Sequence, residues 1–484
     1  MPSMDSNHAT LHLLVDGQRI ASAARETRPV LNPATGEEIG RLPIATAADL
    51  DDALAAAERT FPAWRATSAY ARGLILRGAA ALLRDRIATI AEGLTREQGK
   101  TLEEARVEVL VSADILDWCA EEGRRAYGRV IPARVPGMRQ TVLRVPIGPV
   151  AAFTPWNAPA LMPARKISEA LAAGCTCIVK PAEEAPASAS EIVRALADAG
   201  LPPGVLNMVF GEPAAISRHL IASPVIRKAS FTGSTEVGRQ LGELAGSHVK
   251  PITLELGGHA PVLVFADCDL ERAADMLTAM KTRNAGQLCG SPTRVLVQAP
   301  VRDRFVALLA ERFAAVRVGD GLDNTTQMGP LANSRRVAAM ERLVEDAAGR
   351  GATVRTGGAR LAGDGFFFPP TILCDAPRDS DVMNQEPFGP ICAIASFDQP
   401  EEAIAEANRL PFGLAAYVFT RAAATADLLG ETLEAGVIGI NTFAVASPET
   451  PLGGVKDSGY GSEGGTEGIQ AYSVARYVAH DTRH

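Results

Sequence analysis

At 484 residues the chain is too long for one simple core, and length alone suggests roughly three structural units. Its composition, 47% hydrophobic and 21% charged with 44 Gly and 32 Pro, is that of an ordinary soluble globular chain. A net charge of -8 argues against a nucleic-acid partner gripped through its phosphates, although a local pair of arginines can still hold a small anion. Seven cysteines without regular spacing imply reduced thiols and a cytoplasmic setting. Met1 to Thr10 lacks a basic region followed by an apolar one, so no signal peptide is expected. No run approaches the ~20 uninterrupted apolar residues of a membrane span.

Residues 11–44 predict short strands and turns, with Asp16-Gly17 and Asn32-Pro33 as turn signals. Apolar residues recur at helical spacing over 47–64 and 69–90, and Ala48, Ala53 and Ala57 suit close packing. The helical pattern continues over 96–117, with Glu103 and Glu104 before Arg106 on an exposed face, and stops near Gly123. Residues 129–145, rich in Val, Ile and Arg between Pro132, Pro136 and Pro146, suit an exposed hairpin arm better than a core strand.

From Pro149 the rhythm becomes strand, turn, helix. A strand over 150–153 ends at Thr154-Pro155-Trp156-Asn157, a helix runs to Leu171, and a strand over 175–179 ends at Lys180-Pro181. Helix 187–199, strand 206–209, helix 214–221 and strand 228–231 follow, and Thr232-Gly233-Ser234 caps a helix over 235–245. Such repeats imply a parallel sheet with helices on both faces, whose ligands sit beyond the carboxyl ends of the strands. Asn157, Lys180 and Gly233-Ser234 fall at those ends and are candidates for one cleft. Thr253-Leu254-Glu255-Leu256-Gly257-Gly258 closes this unit as a hinge. A second alternation over 261–441 includes helices at 270–281, 301–316 and 401–408, and the rigid turn Glu386-Pro387-Phe388-Gly389-Pro390 interrupts it. A Gly-rich loop and a strand-like tail over 472–479 end the chain.

The stretch Arg283-Asn284-Ala285-Gly286-Gln287-Leu288-Cys289-Gly290-Ser291 places one thiol among small and amide residues. Cys289 is either a nucleophile or core filler, and Asn284 and Gln287 could hydrogen-bond a polar reacting group. A thiol attacks a carbonyl only with a lowered pKa or a neighbouring base. Glu255, a lone carboxylate in an apolar stretch, is the candidate base, its pKa raised by desolvation; the alternative is a strand-end glutamate reaching water. The Asn157 side-chain amide can donate to a developing oxyanion or simply form an Asx turn before Pro159. Thr232-Gly233-Ser234 can hold a phosphate at a helix start, although Ser and Gly cap many helices. No G-x-G-x-x-G follows a strand. Cys175 and Cys177 read as core, the seven histidines form no cluster, and no metal is predicted.

Together these pieces resemble the aldehyde dehydrogenase superfamily over nearly the whole chain. The matching blocks are Pro155-Trp156-Asn157, Lys180-Pro181-Ala182-Glu183, Phe231-Thr232-Gly233-Ser234-Thr235, Glu255-Leu256-Gly257-Gly258, Gly286-Gln287-Leu288-Cys289 and Glu386-Pro387-Phe388-Gly389-Pro390. The resemblance implies an α/β fold of two doubly wound parallel-sheet domains with an oligomerisation hairpin and tail strand. Residues 1–128 and 148–257 would bind NAD, 258–456 would form the catalytic domain, and 129–147 with 470–484 the arm of a homodimer or homotetramer. It implies Cys289 as nucleophile, Glu255 as general base, Asn157 as oxyanion donor, and Lys166 and Glu463 as polar and proton-relay groups. Pro155 and Trp156 would border the cofactor. Lys180 would bind the adenosine ribose, Gly233 and Ser234 the pyrophosphate, and Glu386 with Phe388 the nicotinamide ribose region. Glu183, a carboxylate near the ribose hydroxyls, repels a 2′-phosphate and favours NAD over NADP.

Arg165, Arg283 and Ser447 match the residues that hold the distal carboxylate in succinate-semialdehyde dehydrogenases, where a forked arginine pair suits a carboxylate. The alternative for each arginine alone is a surface salt bridge. Finer resemblance points to α-ketoglutaric semialdehyde (2,5-dioxovalerate) dehydrogenases through Glu121-Glu122-Gly123-Arg124-Arg125, Cys289-Gly290-Ser291-Pro292-Thr293-Arg294 and residues 456–465. Ala158 and Leu452 stand where Phe is usual, and Met162 where those enzymes tend to have a polar residue, which widens or greases the tunnel. Ser291 takes the place of a second cysteine, so no local disulfide switch is expected. A broad dehydrogenase of apolar aldehydes, a silent homologue and a coenzyme A-acylating enzyme are the alternatives.

Overall fold

The computed structural model describes residues 11–22 and 25–483; the stretch before Leu11 lies outside the described residues. Two sheets dominate. The first runs, edge to edge, Gln18–Ala21, His12–Val15, Leu206–Met208, Cys177–Lys180, Val150–Phe153, Lys228–Thr232, Ile252–Glu255 and Gly459–Tyr460. Its five middle strands are parallel and its edges antiparallel. Helices connect those middle strands, as a parallel ladder requires, and each strand is buried along its length. The second sheet runs Thr353–Thr356, Thr371–Cys374, Ile391–Phe397, Pro292–Gln298, Ala260–Val264, Ala415–Phe419 and Val437–Ile440, parallel except for its first edge. A third, three-stranded sheet joins Arg129–Ile131, Met138–Pro146 and the tail Ser473–Asp481. The architecture is the expected α/β one.

Several boundaries move. The expected helix over 69–90 is two, Ala69–Asp85 and Ile87–Gln98, because Arg86 between them leaves helical geometry at ψ 9°. The run over 96–117 is broken as well. Gly99, at φ 97°, ends one helix in the left-handed region, and Thr101 starts Leu102–Glu122 through a reciprocal capping box with Glu104. Apolar spacing carries through both breaks, so periodicity alone does not see them. Glu104 therefore does not lie free on an exposed face: besides capping, it accepts the Asn284 N–H at 2.8 Å. Ala53 and Ala57 are buried as expected, whereas Ala48 is exposed. Cys175 precedes its strand, which spans Cys177–Lys180.

Among the described residues no helix is long and apolar enough to cross a membrane, and no group of acidic, His and Cys side chains could hold a metal. All seven cysteines are free thiols.

Candidate active site

The parallel ladder aligns four strand ends side by side. Lys180 and Glu255 are the last residues of their strands, Asn157 follows Val150–Phe153, and Gly233-Ser234 follows Lys228–Thr232. From the second sheet, the segment before Pro292–Gln298 turns through Asn284 and Ala285, both left-handed at φ near 50° (50° and 51°), and delivers Cys289. The two units meet closely here: a Cβ on Gly258 would lie 2.8 Å from the Cys289 carbonyl oxygen, so only glycine admits that approach.

The Cys289 thiol and the Glu255 carboxyl face each other closely enough that each shifts the other. Burial, with the like charge of Glu463, pushes Glu255 up to about 7, against a smaller opposing effect of the thiol. Burial, then the Glu255 charge, pushes Cys289 well above the ordinary thiol range. The resting pair is therefore a neutral thiol beside a carboxyl group poised near neutrality. That favours activation by the adjacent base over a standing thiolate. Glu255 is buried, not reaching water, and among the described residues its Oε1 has no hydrogen-bond partner.

Asn157 is buried, and its Nδ2 donates to the Gln287 carbonyl at 2.9 Å rather than closing a local Asx turn. Asn284 and Gln287, expected to greet a reacting group, are instead spent on the protein. Asn284 Nδ2 donates to the Asn157 carbonyl at 2.9 Å, and Gln287 Nε2 donates to the Asn284 carbonyl at 3.0 Å. Their role is to shape the loop.

The helix Leu161–Ala173 carries Arg165, Lys166 and Glu169 into the interior. Lys166 pairs with Glu463 and donates to Ser230 Oγ at 3.0 Å. Glu169 accepts the Gly464 N–H at 2.7 Å, and burial raises it to about 7. Arg165 differs from both. It is 2% exposed, so it is no surface salt bridge, and its Nε and Nη1 are buried without an acceptor. A Cβ on Gly464 would lie 2.4 Å from that Nη1 and 2.6 Å from the Thr450 carbonyl. Ser447 sits in the same loop, half-buried, with Thr450 Oγ1 accepting its N–H at 3.0 Å. Arg283 caps the end of Leu270–Thr282 and is exposed, with no ion pair found for it among the described residues.

The remaining candidates fit a dinucleotide. Ser234 caps Thr235–Ser247, accepting the Val237 N–H at 3.4 Å and leaving a helix N-terminus behind Gly233. Lys180 and Glu183 pair at 2.6 Å, and Glu183 also accepts the Gly211 N–H at 3.1 Å. Glu386 is raised by burial to about 8, and its Oε1 is buried without a partner, an opening for a hydroxyl donor. Phe388 meets Trp156 edge to face at 5.4 Å between ring centroids, next to Pro155, and Arg336 lies over its ring at 5.8 Å.

Residues 20–478 match the model of the aldehyde dehydrogenase family. The chain belongs to the aldehyde dehydrogenase family. It is accordingly an oxidoreductase acting on aldehydes. It is 47% identical over 466 residues to a putative 4-(hydroxymethyl)benzenesulfonate dehydrogenase of Comamonas testosteroni, covering 96% of this chain and 97% of the relative. It is 42% identical over 474 residues to an NADP(+) succinate-semialdehyde dehydrogenase of Escherichia coli strain K12, covering 98% of both. The solved structure of a succinate-semialdehyde dehydrogenase from Burkholderia pseudomallei superposes with a TM-score of 0.97 at 40% identity, covering 99% of this chain and 100% of the other.

In this aldehyde dehydrogenase the structure adds residues that sequence reasoning passed over: Lys100, Glu108, Glu169, Ser230 and Arg336. Glu108 left one trace, a carboxylate between two valines of an amphipathic helix. The others carry no local signal, since their partners are distant in the chain. The coupling of Cys289 to Glu255 is directly measurable. Glu255→Gln removes the charge that raises the thiol, so Cys289 should be alkylated by iodoacetamide faster at pH 7.5 than in the parent. An unchanged rate, read by mass spectrometry, would show that the carboxylate does not govern the thiol, and a slower one that its action as a base outweighs its charge.

Proposed function

We propose that the chain oxidises an aldehyde carrying a distal anionic group to the corresponding acid, with Cys289 as nucleophile and NAD(P) as cofactor. The observation that carries the anionic preference is Arg165, a buried guanidinium with two unpartnered nitrogens. Glu169 on the same helix offsets part of that charge, and a substrate anion would supply the acceptors its nitrogens lack. The preferred substrate is a semialdehyde bearing a carboxylate, succinate semialdehyde or α-ketoglutaric semialdehyde, with Arg283 and Ser447 completing the clamp. A sulfonate in place of the carboxylate is the second reading. It is favoured by the relative named for 4-(hydroxymethyl)benzenesulfonate and by the small or apolar Ala158, Met162 and Leu452.

Cys289 Sγ adds to the aldehyde carbon as Glu255 takes the thiol proton. The oxyanion of the thiohemiacetal accepts from the second Asn157 Nδ2 hydrogen and from the Cys289 N–H. When bound, the nicotinamide supplies the acceptor for the hydride. Glu255 then removes a proton from the water that opens the Cys289 thioester, and the Lys166–Glu463 pair behind it relays protons. Lys180 and Glu183 would hold the adenosine ribose, Gly233 and Ser234 the pyrophosphate, and Glu386 with Phe388, Trp156 and Pro155 the nicotinamide end. We infer a preference for NAD, because the pinned Glu183 carboxylate opposes a 2′-phosphate; the Escherichia coli relative, by contrast, is named for NADP(+). Residues 1–128 with 148–257 would form the cofactor domain and 258–456 the catalytic domain. The free thiols suit a cytoplasmic setting. The arm, 129–147 with 470–484, presents Val130, Leu143, Val474 and Tyr477 outward and would join copies into a homodimer or homotetramer.

Four outcomes are expected. In a kcat/KM panel, C4 to C6 semialdehydes and a formylbenzenesulfonate should exceed uncharged aldehydes of equal length, with NAD above NADP. Arg165→Leu should cost the anionic substrates at least about tenfold and spare the uncharged ones; equal losses for both would remove the clamp. In Glu255→Gln, product should stop near one equivalent of reduced nicotinamide per site, and the rise of kcat with pH through about 7 should vanish. Sustained turnover at the parent rate would rule Glu255 out as base. Deleting residues 473–484 should lower the mass seen by light scattering, whereas an unchanged mass would remove the arm from the interface.

A further inference from the structure

Asn157 is held by contacts that the steps above leave unused. Its carbonyl accepts Lys100 Nζ at 3.0 Å and Asn284 Nδ2 at 2.9 Å, while its own Nδ2 gives one hydrogen to Gln287 O. Lys100 is 4% exposed, and its ammonium pairs with Glu108 Oε2. The other oxygen, Glu108 Oε1, accepts the N–H groups of Ala160 at 2.9 Å and Leu161 at 3.2 Å, where the next helix begins. The side chain of Gln98 ties the Asn284 segment to the Lys100 turn: Nε2 donates to Asn284 Oδ1 at 2.8 Å, and Oε1 accepts the Lys100 N–H at 3.1 Å. A buried ion pair gains little by itself over an apolar pair of equal volume. This one makes directed contacts at the Asn157 carbonyl and at the backbone three and four residues later, which an apolar pair cannot make.

We propose that the buried Lys100–Glu108 pair is a positioning device for the reaction: Lys100 fixes the carbonyl of Asn157, Glu108 fixes the backbone three and four residues later, and the Asn157 amide is thereby kept aimed at the carbonyl oxygen of the substrate. Hydrogen bonding weakens steeply with angle, so a rotated 157 peptide swings the second Nδ2 hydrogen off the oxyanion while leaving the cofactor strands untouched. The inference rests on the reading of Asn157 as the oxyanion donor.

The test is a mutant cycle on the full-length enzyme, combining the neutral pair Lys100→Met/Glu108→Gln with Asn157→Ala. Lys100→Met/Glu108→Gln should lower kcat on the order of 10- to 100-fold, with KM for NAD and the thermal midpoint near the parent values. In the Asn157→Ala background the same pair should cost no more than about twofold further, because the group it positions is gone. A parent-like kcat, or losses that multiply in the triple variant, would overturn the proposal. Full kcat in Asn157→Ala alone would instead overturn the donor reading. If the neutral pair does not fold, Lys100→Arg keeps both charges and moves the donor, and its non-additivity with Asn157→Ala decides in the same way.

Discussion

The constraint from which the site follows is the burial of charge along one helix. Leu161–Ala173 is enclosed along nearly its whole length, yet it bears Arg165, Lys166 and Glu169. Ionised groups inside a protein survive only when paired or hydrogen-bonded. Lys166 is met by Glu463, and Glu169 by the backbone of Gly464. Both partners come from one short segment near the chain's end, almost 300 positions away. Arg165 lies near Glu169, but among the described residues its Nε and Nη1 have no acceptor, so it can still receive an anion.

Pairing Lys166 and Glu169 with these partners constrains the chain's end. Residues 457–465 must return to the first sheet, and they do so by pairing Gly459–Tyr460 antiparallel to Ile252–Glu255, the strand that ends in Glu255. Ser458 fastens the return, its Oγ donating to the Gly257 carbonyl at 2.7 Å and accepting the Gly413 N–H at 2.9 Å. Glu255 and the Lys166–Glu463 pair are thus neighbours through a sheet edge. The same burial that encloses Arg165 lifts Glu255 and Glu386 toward neutrality, so one physical cause would underlie both the proposed anion binding and the proposed base.

The alternation of strands and helices was legible because buried parallel strands leave apolar runs, and four of the five middle strands of the first sheet lie within about two residues of their expected places; the fifth, Ile252–Glu255, occupies a stretch that reads as a hinge. Helix breaks at Arg86 and Gly99 were not legible, since the apolar spacing continues across them. Glu104 reads locally as a surface charge and acts as a cap and an anchor for Asn284, because helix Leu102–Glu122 packs where the Cys289 loop passes. Arg165 stood out only through the family resemblance, since its local setting equally suits a surface salt bridge; the surrounding helices bury it.

By itself the sequence determined the order of strands and helices, the thiol in its permissive loop and the family to which the chain belongs. Those properties reside in local periodicity and in short motifs, and short stretches of chain carry them. The tertiary structure alone decided that Cys289 faces Glu255, that the Asn284 and Gln287 amides serve the loop rather than a ligand, and that Arg165 Nε and Nη1 are buried without an acceptor among the described residues. Each of these depends on desolvation and on contacts between residues tens to hundreds of positions apart, and neither is written in the neighbours of a residue along the chain.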